Sequence, residues 1–134
     1  MPPKVLLVDL DGVIRHWQIS DEAIESVHGL PSGSIRRAAF LPHLVNPAIT
    51  GKVTDEVWRE QVARHLQQEH GSVNAFNAVK EWTACPGSFD SEVLAVLGGC
   101  ARLVRLVLVM NATSRLTRGL QAAETEGVSC ENAL

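Results

Sequence analysis

The feature that most constrains this chain is an unbroken apolar run near its start, Val5-Leu6-Leu7-Val8, which empties into Asp9-Leu10-Asp11-Gly12. A short apolar run, partly β-branched and stopped by Asp and Gly, predicts a strand buried on both faces, as in a parallel sheet. Side chains two residues apart on a strand point the same way, so Asp9 and Asp11 approach a common point at its end. Ligands of open α/β sheets bind beyond the carboxyl ends of the strands. Two carboxylates gathered there repel unless one keeps a proton or a divalent cation is recruited. Both solutions suit phosphoryl transfer: one carboxylate attacks phosphorus, and the other, protonated, gives its proton to the leaving oxygen. Gly12 removes a side chain where the backbone must turn and offer N–H groups to a phosphate. A plain turn after a strand is the competing reading, because Asp and Gly favour turns for local reasons. A calcium loop is excluded. The EF-hand needs Gly sixth and Glu twelfth, whereas counting from Asp9 puts Gly12 fourth and Ser20 twelfth.

A second run of the same kind, Leu103 to Val109, leads into Asn111-Ala112-Thr113-Ser114. Two buried strands with helices between them imply a right-handed crossover and an α/β fold. The stretch between them is far longer than one crossover helix. Asp21 to Val27 reads as a helix, acidic in its first turn and with Gly29 near its end. Thr54 is a predicted N-cap, followed by Asp55 and Glu56. Trp58, Val62 and Leu66 then recur every four residues as one apolar stripe, and Gly71 stops the helix. Ser72 opens another helix with Val73, Phe76 and Val79 on one face and Trp82 nearby. Pro86-Gly87 breaks the chain before a helix from about Ser91 to Leu97, and Leu116, Leu120 and Ala123 suggest a last one closed by Gly127. The expected division is an α/β core of residues 1–13 and 99–134 with a helical insert of residues 14–98.

A length of 134 residues provides for one core and not two. With 46% hydrophobic and 20% charged residues the chain is globular rather than disordered. A net charge of −3, with no basic cluster larger than Arg36-Arg37, argues against nucleic acid as a partner. Cys85, Cys100 and Cys130 are scattered without Cys-x-x-Cys spacing, which excludes a disulfide framework and a zinc site and points to a reducing, cytoplasmic protein. The N-terminal apolar run is too brief for a signal peptide or a membrane span, so no membrane partner is expected. His16, His28, His43, His65 and His70 show no metal-ligand spacing and read as surface residues.

Val5 to Val13 resembles the first motif of the haloacid dehalogenase-like (HAD) hydrolase superfamily. Gly51-Lys52-Val53-Thr54-Asp55-Glu56-Val57-Trp58 resembles the cap helices of its bacterial phosphatase-like members. Val109-Met110-Asn111-Ala112-Thr113-Ser114-Arg115-Leu116 resembles their second motif and the helix after it, so the resemblance spans most of the chain. It implies an α/β fold with a partial Rossmann-like (HAD-like) parallel sheet core and an inserted α-helical cap, which closes to exclude water and select substrate. Carried over by position, Asp9 would be the nucleophile that forms an aspartyl-phosphate. Asp11 would be the general acid/base, and Asp9 together with Asp11, partly through its carbonyl, would hold Mg²⁺. Gly12, Asn111 and Thr113 would contact the phosphate. The implied activity is Mg²⁺-dependent hydrolysis of a small-molecule phosphate ester.

The chain departs from the family pattern in two places. Where the second motif offers a Thr or Ser hydroxyl it has Met110, whose thioether donates no hydrogen bond. Thr113 or Ser114 either takes over that contact or, more simply, caps the last helix. The Lys of the family's third motif and the acids of its fourth have no counterpart, since Glu124, Glu126 and Glu131 lie on a helix or tail and read as surface charge. The expectation is a truncated product whose first strand has an unpaired edge open to self-association. The alternative function is a catalytically inactive HAD-like remnant that serves as a binding module.

Overall fold

The computed structural model describes residues 4–71, 74–84, 87–110 and 112–115. Asn111, the helix expected after Arg115, the helix start at Ser72-Val73, and Cys85 and Cys130 lie outside the described residues. The architecture is mixed α/β. Along the chain run β1 (Val5–Val8), β2 (Arg15–Trp17), α1 (Asp21–Val27), α2 (Ser34–Ala39), α3 (Pro42–Ile49), α4 (Asp55–His70), α5 (Ala75–Ala84), β3 (Gly87–Phe89), α6 (Ser91–Cys100) and β4 (Arg105–Leu108). No helix among the described residues is long and apolar enough to cross a membrane.

The chain divides into two compact units, one of Met1–Gln18, Gly87–Asn111 and Leu116–Leu134, the other of Ile19–Pro86 and Ala112–Arg115. The breaks thus fall later than residue 13 and earlier than residue 99. The reason is the β2–β3 ribbon, which was not expected: Arg15, His16 and Trp17 pair antiparallel with Phe89, Ser88 and Gly87 and draw both strands into the first unit.

In that unit β1 and β4 pair in parallel, Val5 opposite Arg105 and Val8 opposite Leu108. The pairing continues past the strands where the Val109 N–H donates to the Val8 carbonyl at 2.8 Å. The expected burial of β1 on both faces does not hold. Val5, Leu6 and Leu7 are all exposed, Leu7 by 64%. Among the described residues β4 is the only strand beside β1, and α6 buries none of its residues, so no layer covers these faces. The second strand also begins later than the apolar run, because residues 101–103 are spent in a turn that leaves Leu103 exposed.

The second unit holds a true core. The α4 stripe expected from Trp58, Val62 and Leu66 is buried, between a Thr54 cap that accepts from the Val57 N–H and Gly71 at the other end. It packs on α2, α3 and α5 around Ile24, Ile35, Ala39, Ala75 and Ala78. The Trp58 indole N–H donates to the Ala39 carbonyl at 3.1 Å, and its ring meets Trp82 edge-on at 5.9 Å. On α5 the core face is Ala75, Ala78 and Val79, while Phe76, expected inside, is exposed. Phe76 follows Ala75 by about 100° round the helix, which turns it off the face that Ala75, Ala78 and Val79 share.

The N-terminus of α2 is capped from another helix. Gly33 at its start has φ +78° and no capping side chain. The Glu25 carboxylate of α1, fully buried, instead accepts from the Gly33 N–H at 2.6 Å and the Ile35 N–H at 2.8 Å. Removing that carboxylate strands two donors in the core. Glu25→Ala is therefore expected to lower unfolding stability by about 3 kcal/mol. A urea titration followed through the fluorescence of buried Trp58 checks this, and a midpoint unchanged from the parent would refute it.

Candidate functional site

The residues beyond β1 are ordered by one carbonyl. Leu10 is buried, and its C=O accepts from the N–H groups of Val13 (3.3 Å), Ile14 (2.9 Å) and Arg15 (2.9 Å). Three donors on one acceptor fold the backbone back on itself directly after the motif. Gly12 makes the reversal feasible with φ +82°, a value that L side chains rarely adopt. Its own N–H, expected to face a phosphate, donates to the Arg15 carbonyl at 2.8 Å.

Asp9 stands on the first position past β1, exposed, with Oδ1 accepting from the Leu10 N–H at 2.8 Å. Its Oδ2 accepts from no described residue. Asp11 is held by Arg15, a residue that sequence reasoning missed. The Arg15 Nε donates to Oδ1 at 2.7 Å and an Nη to Oδ2 at 3.2 Å, a two-point fork. The main-chain carbonyl of Asp11 takes no hydrogen bond from a described residue. The oxygen donors left open at the strand end are therefore Asp9 Oδ2 and the Asp11 carbonyl. Oxygen is the donor type that a hard cation such as Mg²⁺ takes. Among the described residues no group of three or more His, Cys, Asp or Glu side chains is placed to hold a metal.

A second arm of the same unit braces the loop. The Asp90 N–H donates to the Ile14 carbonyl at 2.8 Å, and the Asp90 carboxylate lies 3.3 Å from His16 Nε2. That carboxylate also caps α6, accepting from the Glu92 and Val93 N–H groups, each at 3.0 Å.

Thr113 and Ser114 belong to the other unit, where they serve α4. The Thr113 hydroxyl donates to Asp55 Oδ1 at 2.5 Å, and the Ser114 hydroxyl accepts from the Asp55 N–H at 3.0 Å. Asp55 is only 2% exposed, and its Oδ2 accepts from Arg59 Nε at 2.7 Å. Burial pulls the Arg59 pKa below the usual arginine value, and the bond to Asp55 opposes that shift. The guanidinium also donates to the Thr83 hydroxyl and lies over the Trp82 ring at 4.7 Å. In the sequence Asp55 stands only as the residue after the Thr54 cap. Its spacing from Thr113 in sequence carries no sign that they meet.

The chain matches no protein-family model and no curated protein. The functional reading therefore rests on the residues themselves.

The Asp90 pKa is lowered from its ordinary 3.8, first by the Val93 N–H, then by the Glu92 N–H and His16. A carboxylate depressed on folding adds stability that is full above its unfolded pKa and is lost as pH falls through the folded value. Amide protection of Glu92 and Val93 is thus expected to hold down to about pH 4 and fall below it. In Asp90→Asn that acid step should be missing; its persistence in the variant would assign it to another group.

Proposed function

We propose that this protein is a HAD-like phosphatase that hydrolyses a small phosphate ester, with Mg²⁺, through an aspartyl-phosphate on Asp9. The observation that carries the reading is the exposed Asp9 carboxylate just past the carboxyl end of β1, with parallel β4 beside the strand. A partial Rossmann-like core is the finer fold that this reading entails, with the helices of the second unit as the cap.

In the proposed reaction an Asp9 carboxylate oxygen attacks phosphorus, forming the acyl phosphate as the ester P–O bond breaks. Protonated Asp11 gives its proton to the leaving oxygen. Water then attacks the phosphoryl group and returns a proton to Asp11, which releases phosphate and restores Asp9. Asp9 and the Asp11 carbonyl would hold Mg²⁺, whose positive charge would offset the negative charge of the phosphate. Asn111 and Thr113 are the proposed phosphate contacts of the second motif. Gly12 would have to exchange its bond with the Arg15 carbonyl for one to substrate.

One observation favours a second reading, binding without turnover. At rest Arg15 engages both carboxylate oxygens of Asp11, so the proposed acid is already occupied by a partner within the protein. The two readings part on a single variant. With Mg²⁺ and an aryl phosphate, the parent protein is expected to release phosphate, and Asp9→Asn to lose that activity by about a thousandfold or more, as befits loss of a nucleophile. Equal rates from parent and variant would reject the phosphatase reading in favour of binding alone.

A further inference from the structure

Arg15 sits outside every motif discussed above, yet its side chain is the most constrained feature of the Asp9–Asp11 loop. Its backbone is fixed at both ends of the residue, the N–H on the Leu10 carbonyl at 2.9 Å and the C=O receiving the Gly12 N–H at 2.8 Å. Its guanidinium forks Asp11 and lies over the Trp17 ring, 4.7 Å from the centroid. Its stem crosses Gly87 of β3 so closely that a Cβ there would lie 2.6 Å from Cγ and 2.7 Å from Cδ. Glycine at 87 is therefore what lets the stem take this path. The side chain remains 18% exposed, against 47% for Asp11, so the pair faces solvent.

Charge placement in this unit is lopsided. Its other described Lys and Arg residues are Lys4, Arg102 and Arg105. Lys4 and Arg105 flank the starts of the parallel strands, where the Arg105 N–H donates to the Lys4 carbonyl, and Arg102 precedes β4. His16 is engaged with Asp90. Arg15 is thus the one Lys or Arg among the described residues of the unit on the carboxyl side of β1, next to two carboxylates. An anion approaching Asp9 meets net negative charge unless Arg15 turns to it.

We propose that Arg15 is the phosphate-recognising cation of this site, parked on Asp11 at rest and transferred to the phosphoryl oxygens when they bind. The inference rests on the phosphatase reading for its choice of ligand, and it deepens that reading. A guanidinium fork fits two phosphoryl oxygens as well as two carboxylate oxygens, so the exchange conserves its hydrogen bonds. Gly87 leaves the path for the Arg15 stem while the head moves from Asp11.

The test is equilibrium binding of inorganic phosphate without metal, read by NMR at the Arg15 Nε–H. Phosphate is expected to shift that resonance. Arg15→Gln is expected to weaken binding by about tenfold or more, as loss of a charge-assisted fork would. Arg15→Lys should fall between the two. Gly87→Ala, which keeps the charge but obstructs the stem, should also weaken it. Asp11→Asn should tighten binding, and lose most of that gain when combined with Arg15→Gln. Thermal unfolding of each variant establishes that it is folded, and Gly87→Ala with Arg15→Lys decides the matter if Arg15→Gln is not. Phosphate binding that leaves the Arg15 Nε–H unmoved, or equal affinity in parent, Arg15→Gln and Gly87→Ala, or no binding by the parent, overturns the proposal. Binding needs no turnover, so a protein that binds phosphate through Arg15 but never hydrolyses an ester would retain this inference and lose the phosphatase reading. Asp9-dependent turnover with KM unchanged in Arg15→Gln would do the reverse.

Discussion

Two carboxylates set two residues apart at the end of one strand repel each other, and each must be satisfied locally for the chain to leave that strand in a fixed direction. The loop after β1 answers this with very few parts. Asp9 takes the next amide along the chain, Asp11 takes a guanidinium, and the Leu10 carbonyl gathers three N–H groups that bring the guanidinium round. Gly12 is the residue that permits the turn, and Arg15 is its product. Without the reversal at Leu10, Arg15 would not return beside Asp11, and β2 would not be placed to meet β3.

The two units are held by different physics. The second is organised by apolar burial along α4, to which buried charge is added only where a carboxylate has several partners. Glu25 has two amides, and Asp55 has a hydroxyl and a guanidinium. Buried charges satisfied in this way specify one arrangement of neighbours, because any other leaves an uncompensated carboxylate. In the first unit the described strands form two two-stranded sheets, apolar surface lies exposed, and backbone pairing with short-range polar contacts sets the geometry. The residues of the proposed site are on this sparser scaffold, and their positions depend on a few hydrogen bonds.

The parts legible in the sequence were those whose cause is local. β1 announced itself as an apolar run cut by Asp and Gly, and α4 by its Thr54 cap, four-residue recurrence and Gly71 stop. Asp9 and Asp11 follow the apolar run, but both lie past the end of β1 in a turn that Leu10 orders, so strand alternation does not set where their side chains go. What escaped notice depends on distant partners. α2 lacks a capping side chain of its own because Glu25 supplies the acceptor from α1. α3 contains Pro47, which reads as an interruption in a sequence and is accommodated inside the helix. β2 and β3 are three residues each and carry too few side chains for a periodicity to show. Arg15 looked like an ordinary charge after a motif, and only the reversal at Leu10 gives it a role. The exposed faces of β1 were misjudged because a run of valine and leucine reports what a strand would bury, not whether a layer is present to cover it.

The central claim is that the Asp9 carboxylate is a nucleophile toward phosphorus. The most direct measurement is to mix the protein with Mg²⁺ and an aryl phosphate, quench in acid, and map the peptides by mass spectrometry. The account predicts one added phosphoryl group on the peptide carrying Asp9, as an acyl phosphate lost on treatment with hydroxylamine. Turnover of the ester with no phosphoryl group on that peptide, or with the group on another residue, would contradict it.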